Sequence, residues 1–287
     1  MLVYSKTSIQ ALLSESCRAL KDSSSPMLDS EVLLAFCFNK NRSFFRAWPE
    51  KIVPEAIFNQ FALLLNERIK GAPIAYLTAE KEFWSRSFFI TADVLIPRPE
   101  TELLVEIALA LIPANEKMVI TDLGTGSGII AITLGLERPA CEILAIDKST
   151  AALTIAKKNA ANLHTRNITF LEGSWLQGIH NASLDLIVSN PPYIDAEDEH
   201  LQQGDVKFEP SSALIADNQG LADFQLIIEQ ASNALKPKGL LVFEHGFEQH
   251  QPIQELLKKA GFTDIKTHQD LLAHPRVTQG QWNGLDL

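Results

Sequence analysis

The chain has 287 residues, of which 46% are hydrophobic and 21% charged. That composition belongs to a folded globular protein and excludes disorder, collagen and coiled coil as the dominant state. The length allows one large domain or two of ordinary size. The net charge of −10, from 25 basic and 35 acidic residues, argues against broad phosphate-backbone binding.

No apolar run approaches the roughly 20 residues needed to cross a bilayer, and Met1 is not followed by a basic-then-apolar signal, so a cytoplasmic location is expected. Cys17, Cys37 and Cys141 form no Cys-x-x-Cys pair, which leaves neither a disulfide framework nor a cysteine zinc site. Charge is uneven: Met1–Ala75 carries a net +2 and Pro97–Leu287 a net −11.

The amino-terminal part reads as helices. Ile9, Leu12, Leu13, Cys17 and Leu20 repeat at helical spacing, and Leu28–Phe38 follows a polar turn at Asp22–Ser25. A third helix opens near Pro54, places Ile57, Phe61, Leu64, Leu65 and Ile69 on one side, and stops at Gly71-Ala72-Pro73. Residues 1–75 are therefore expected to form a small helical domain. Phe83-Trp84 and Phe88-Phe89-Ile90, separated by Ser85-Arg86-Ser87, predict a β-hairpin linker over 76–96.

From Glu100 onward helical and strand periods alternate. Strands are expected at Met118–Asp122, Glu142–Asp147, Ile168–Leu171, Leu184–Ser189, Leu240–Glu244 and Asp264–His268. Helices are expected at Thr101–Leu111, Gly128–Glu137, Thr150–Asn162, Ala222–Leu235 and Gln249–Ala260. Such alternation predicts a mainly parallel α/β sheet covered on both faces.

Three motifs fall at carboxyl ends of those strands, where an open α/β sheet binds ligands. In Asp122-Leu123-Gly124-Thr125-Gly126-Ser127-Gly128 the glycines let the backbone approach a ligand, and the amides opening the next helix favour an anionic group. A tight strand-to-helix turn would need the same glycines. Asp147 ends the next strand, where its carboxylate can accept from two ribose hydroxyls or simply cap the helix at Thr150. Ile129 stands where a dinucleotide fingerprint wants its third glycine, so the pattern leans from NAD towards a mononucleoside such as S-adenosylmethionine.

The third motif is Asn190-Pro191-Pro192-Tyr193. The proline pair fixes two φ angles and holds Asn190 extended. The Asn190 side-chain oxygen and the Pro191 carbonyl can then accept both hydrogens of one planar NH₂ group, with the Tyr193 ring as a stacking face. An ordinary loop is the plainer alternative. His164, His180, His200, His245, His250, His268 and His274 show no ligand spacing, and no metal is expected. His245 reads as a structural residue.

On these residues the chain resembles S-adenosylmethionine-dependent methyltransferases with an Asn-Pro-Pro-Tyr motif, most closely the release-factor glutamine N5-methyltransferases (HemK/PrmC family). The likeness spans nearly the whole chain. It includes Leu95-Ile96-Pro97-Arg98-Pro99-Glu100-Thr101-Glu102, Asp185-Leu186-Ile187-Val188-Ser189, Gln202-Gln203-Gly204-Asp205-Val206-Lys207-Phe208-Glu209-Pro210, Glu244-His245-Gly246 and Arg276-Val277-Thr278.

The resemblance implies a seven-stranded Rossmann-like methyltransferase fold with a small N-terminal helical domain, residues 97–287 being the catalytic part. It implies methyl transfer from S-adenosylmethionine to the glutamine side-chain amide in the Gly-Gly-Gln motif of bacterial class 1 peptide chain release factors, leaving S-adenosylhomocysteine. By the same likeness Gly124, Thr125, Gly126, Ser127 and Gly128 would hold the methionine part, Asp147 the ribose and Trp175 the adenine. Asn190, Pro191, Pro192 and Tyr193 would hold the glutamine. Asn190 and Pro191 would be the catalytic pair, with Asn190 also facing the cofactor. Arg98 and Glu102 match family positions near the pocket, without an evident chemical role.

The expected partner of residues 1–75, with Lys40, Arg42, Arg46 and Lys51, is the release factor. No stable nucleic-acid binding and no membrane association are expected. The alternative substrate is an exocyclic amine of a nucleic-acid base. The acidic stretch at Asp195, Glu197, Asp198, Glu199, Asp205 and Glu209 disfavours it, since that loop would repel phosphates and suit a basic protein loop. A solvated acidic loop is the plainer reading of the same residues.

Overall fold

The computed structural model describes residues 6–202 and 204–284. The chain packs as two units, Met1–Glu80 with Gln202–Phe208, and Lys81–Leu201 with Glu209–Leu287.

The first unit is helical, with helices Ile9–Ala19, Pro26–Phe38, Ser43–Ala47, Glu55–Ile69 and Ile74–Thr78. Ser8 caps the first through its hydroxyl, which accepts from the Ala11 amide at 3.3 Å. Gly71, at φ +99°, ends the fourth helix in the left-handed conformation that a residue with a Cβ rarely adopts. Ile9, Leu12, Leu33, Leu34, Val53, Phe61 and Leu65 form the core. Two short helices were not expected from the sequence, because Ser43–Ala47 and Ile74–Thr78 are each five residues and too brief to show a period.

An ion network, buried at Asp29 and partly exposed at Asp205, crosses this unit. Arg68 Nε donates to Asp29 Oδ2 at 2.8 Å and its Nη1 to Asp205 Oδ1 at 3.0 Å, while Ser23 and Ser25 hydroxyls donate to the same Asp29 carboxylate. Asp205 thereby ties Gln202–Phe208 into the helical unit. That segment lies far along the sequence in the acidic stretch, and a pair separated by 137 residues leaves no local pattern to read.

Strands β1 (Glu80–Phe83) and β2 (Arg86–Phe89) form a hairpin whose two turn residues, Trp84 and Ser85, both have positive φ, as a two-residue hairpin turn requires. The main sheet has seven strands: β3 (Val119–Leu123), β4 (Glu142–Asp147), β5 (Ile168–Glu172), β6 (Leu184–Ser189), β7 (Leu235–Glu244), β8 (Phe262–Gln269) and β9 (Pro275–Trp282). Their order is β5-β4-β3-β6-β7-β9-β8, parallel from β5 to β7, with β9 antiparallel to both neighbours. The direction of chain order reverses between β3 and β6, so their carboxyl ends flank the switch point.

Six of these strands follow the expected apolar runs. β9 was not expected, because its buried residues include Thr278, Gln279 and Gly280, and burial between two strands leaves it without a hydrophobic alternation. Helices Ala222–Ala234 and His250–Lys259 bring Phe224, Ile227, Ile253 and Leu257 onto Leu123, Ile187, Leu241 and Phe243. Phe224 and Phe243 meet edge to face at 5.1 Å. Among the described residues no helix is long and apolar enough to cross a membrane.

Candidate active site

The glycine loop leaves β3 between two carboxylates. Asp122, fully buried, accepts from the Thr125 hydroxyl at 2.7 Å and the Ala131 amide at 3.1 Å through one oxygen, while the other has no hydrogen-bond partner among the described residues. Burial pushes its acid up to about 7, against the pull of those two donors. Asp147 lies on the open side of the loop. Its Oδ2 accepts from the Gly126 amide at 2.8 Å and its Oδ1 from the Ser149 amide at 2.9 Å. The residue that caps the helix Thr150–Asn162 is Ser149, whose hydroxyl accepts from Ala152. Each Asp147 oxygen retains acceptor capacity beyond its one backbone donor.

Gly124, Gly126 and Gly128 all have positive φ, at +69°, +55° and +83°. They do different things. Gly124 and Gly126 line the cleft, whereas a Cβ on Gly128 would press on Ile132 and Ala156, so its smallness serves helix packing. Thr125 and Ser127 are buried, with the Thr125 hydroxyl on Asp122; the Ser127 carbonyl accepts from Asn159, whose amide also pairs with both backbone groups of Phe89.

The cleft, about 710 Å³ and open to solvent, brings together Gly124, Gly126, Asp147, Trp175, Asn190 and Pro192, with Lys148, Ser149, Val94 and Leu95 around them. Thr125, Ser127, Gly128, Pro191 and Tyr193 do not line it. The Trp175 ring stands against Gly124, close to where a Cβ on that glycine would be, and its backbone holds φ +50°. Its indole also bonds the Asp223 carboxyl, whose acidity is weakened chiefly by burial.

The Asn-Pro-Pro-Tyr segment follows β6 and is clamped from several sides. The Ser189 hydroxyl donates to the Leu123 carbonyl at 2.8 Å, coupling it to the glycine-loop strand. Gln249 Nε2 donates to the Tyr193 carbonyl at 3.0 Å. Asn190 Nδ2 donates to the Thr101 hydroxyl at 3.3 Å, which leaves Oδ1 as the acceptor end of the carboxamide. Burial and the neighbouring Glu244 carboxylate hold the Tyr193 phenol neutral well above the usual range.

Several residues around the site had no chemical role that the sequence could supply. Arg98 pairs with Glu209, whose side chain is fully buried and also accepts from the Ile96 amide at 3.1 Å, fixing the Leu95–Glu100 stretch beside the cleft. Glu102 accepts from the Trp84 amide at 2.8 Å and so supports the hairpin turn. His245 is buried, with Nδ1 donating to the Gly246 carbonyl and Nε2 accepting from the Thr278 hydroxyl, each at 2.8 Å. Burial takes it down to about 4, which keeps it neutral as a structural residue would be. The sequence signal for Arg98 and Glu102 was their place in the Pro-Arg-Pro-Glu-Thr-Glu element; that for Glu209 was its place in the Gln202–Pro210 stretch, and neither gave a chemical role.

The donor set fits S-adenosylmethionine. The two cleft glycines present bare backbone, Asp147 keeps acceptor capacity for a pair of hydroxyls, and Trp175 offers an aromatic face beside them. Among the described residues no group of His, Cys, Asp and Glu could hold a metal ion.

Two family models match the chain, one described as a methyltransferase domain over residues 114–282 and one as the PrmC N-terminal domain over 11–78. The release factor glutamine methyltransferases of Salmonella typhimurium and Escherichia coli are each 44% identical over 273 residues, 95% of this chain and 98% of theirs. That of Pseudomonas aeruginosa is 43% identical over 276 residues, 96% of this chain and 99% of its own. In structure, the chain is similar to a methyltransferase from Pyrococcus furiosus, with a TM-score of 0.53 at 16% identity over 79% of this chain and 99% of that one, a likeness of fold. On its match to the methyltransferase domain and its likeness to these relatives along nearly its whole length, the chain belongs to the release factor glutamine methyltransferase family.

Proposed function

We propose that this chain methylates the side-chain amide nitrogen of the glutamine in the Gly-Gly-Gln motif of class 1 peptide chain release factors, acting in the cytoplasm. The observation that carries the reading is the Asn190 carboxamide, turned with Nδ2 on Thr101 and Oδ1 free to accept at the cleft that Gly124, Gly126 and Asp147 also line. S-adenosylmethionine, when bound, supplies an electrophilic methyl group.

An amide nitrogen is a poor nucleophile because its lone pair is delocalised into the carbonyl. The chain's part is orientation: Asn190 Oδ1 and the Pro191 carbonyl accept the two amide hydrogens and so aim the remaining face of the nitrogen. Orientation of this kind contributes about 7–11 kcal/mol in favourable cases. As positive charge grows on the nitrogen both hydrogen bonds strengthen, which selects for the transition state. The extra proton leaves to water.

The exposed acidic residues Glu197, Asp198 and Glu199 just beyond Tyr193 support a protein rather than a phosphate-bearing substrate. In this reading residues 1–75 dock the release factor, 76–96 link, and 97–287 carry the chemistry.

Purified enzyme, labelled S-adenosylmethionine and a whole release factor provide the test, with mass spectrometry to locate the added methyl. Label on the motif glutamine, lost when that glutamine is alanine, supports the reading. Label in RNA or DNA, or none in the factor, overturns it. Asn190→Ala should bind S-adenosylhomocysteine within a few-fold of the parent yet lose about 10²–10³ in turnover.

A further inference from the structure

Asparagine has two ends of nearly equal shape, and only one of them accepts. For Asn190 to receive an amide hydrogen, something must hold its Nδ2 end away from the substrate.

The groups on that side are Thr101 and Glu244. Thr101 opens the helix Thr101–Leu111 and is buried; its hydroxyl accepts from Asn190 Nδ2 at 3.3 Å. Glu244 ends β7, beside the strand that delivers Asn190, and is 1% exposed. The Thr101 and Asn190 side chains lie near enough to its carboxyl to favour the ionised form, while its Oε2 has no partner among the described residues.

A buried carboxylate with a bare oxygen is expensive to keep, and burial accordingly raises its acid to about 7. Among the described residues it has no ion-pair partner. Arg276 is close enough to favour its charge, but that guanidinium bonds the Asp270 carboxylate and the His245 carbonyl. Glu100 opposes the charge, and Tyr193, facing it, is held neutral. In its ionised form, reached above about pH 7, the carboxylate accepts without donating and so refuses the oxygen end of Asn190, which an apolar residue cannot do.

We propose that Glu244, together with Thr101, is a positioning residue that fixes the Asn190 carboxamide with Oδ1 towards the substrate amide. The inference rests on the substrate reading given above.

The test is a steady-state comparison of parent, Glu244→Gln, Thr101→Val, Asn190→Asp and the pair Glu244→Gln/Asn190→Asp on a whole release factor, with S-adenosylhomocysteine affinity as a control. Glutamine at 244 can present either end, so Asn190 can reverse. Its turnover number should fall about ten- to hundredfold, with KM for the factor and cofactor affinity within threefold of the parent. Thr101→Val should show a smaller loss of the same kind.

The pair tests polarity itself. Asn190→Asp alone sets two carboxylates against each other, whereas with glutamine at 244 donating to the new aspartate an acceptor again faces the substrate, and turnover should rise above that of Asn190→Asp by tenfold or more. Parental turnover in Glu244→Gln, or no rescue in the pair, overturns the inference. If Glu244→Gln loses cofactor binding together with turnover and the pair does not restore turnover, Glu244 is a folding residue and the inference is equally overturned. A parent enzyme that leaves the release factor unmethylated overturns the substrate reading, and this inference with it.

Discussion

The backbone of Gly220 packs so closely on the carbonyl of Tyr193 that a Cβ on the glycine would overlap it, and would also press on Gln249 Nε2, which donates to that same carbonyl. Gly220 sits at φ +77°, so an L side chain there is strained even before the overlap is counted. Gly220→Ala is expected to lose about 1–3 kcal/mol of stability from the backbone alone. The overlap should also shift the Asn-Pro-Pro-Tyr segment, and a displacement near 1 Å at a reacting group costs about a hundredfold in rate. Urea unfolding and methyl transfer, measured on one preparation, check both; an unaffected turnover would mean that the segment relaxes freely.

Asp147 serves the glycine loop and the cleft at once. Asp147→Ala removes the acceptor from the Gly126 and Ser149 amides as well as from any bound hydroxyls. Its affinity for S-adenosylhomocysteine should fall about ten- to hundredfold, with Asp147→Asn between it and the parent because one acceptor oxygen remains. Affinity for the release factor should not change. Titration calorimetry separates the two, and equal cofactor affinity in Asp147→Ala would remove the residue from the site.

In the helical unit the basic residues are not equivalent. All four are exposed, but Arg42 pairs with Glu31 at 2.6 Å and Lys51 lies over the Phe44 ring, whereas Lys40 and Arg46 have no side-chain partner among the described residues. Lys40→Glu/Arg46→Glu should therefore lower kcat/KM for a whole release factor about tenfold or more by slowing encounter, with an effect that fades at high salt. A short glutamine peptide should be methylated as by the parent. Loss with the peptide too would place these residues outside any docking role.

His245 makes an acid-sensitive point in the core. Its ordinary value of 6.5 falls to about 4 in the fold, so between those values the unfolded chain takes up a proton that the folded chain does not. Stability from this residue is complete above about pH 6.5 and drains away as pH falls towards 4, on the order of 3 kcal/mol in all. His245→Asn, which lacks the titration, should be less stable than the parent at pH 7.5, and the gap should narrow at pH 5. Denaturant curves across that range check it; a constant gap would show that the imidazole is not held neutral.

How far the sequence could be read depends on the range of the forces involved. β4 and β6 are bounded to the residue by their apolar runs, since a parallel strand covered on both faces is apolar throughout. Asn190, Gly124 and Asp147 could be named because each ends or directly follows such a run. Glu244 could not be assigned to the site, because its significance comes from Thr101 and Asn190, which approach it only in the sheet. Gly220 offered no local signal either, its constraint being the Tyr193 carbonyl. Within the glycine loop, spacing could not tell Gly128, which packs on Ala156, from Gly126, which meets the cleft.

The reversed strand β9 has a consequence for how the sheet can be assembled. Among the described residues β8 pairs with β9 and with no other strand, while β9 pairs with β7 as well, so the strand made earlier reaches the sheet only through the strand made later. During synthesis β8 has nowhere to dock until Pro275–Trp282 has been added, and Trp282 then closes on Phe262 at 5.3 Å. A chain stopped ahead of Pro275 would forfeit two strands rather than one. β7, whose last residue is Glu244, would become an open edge available to other chains.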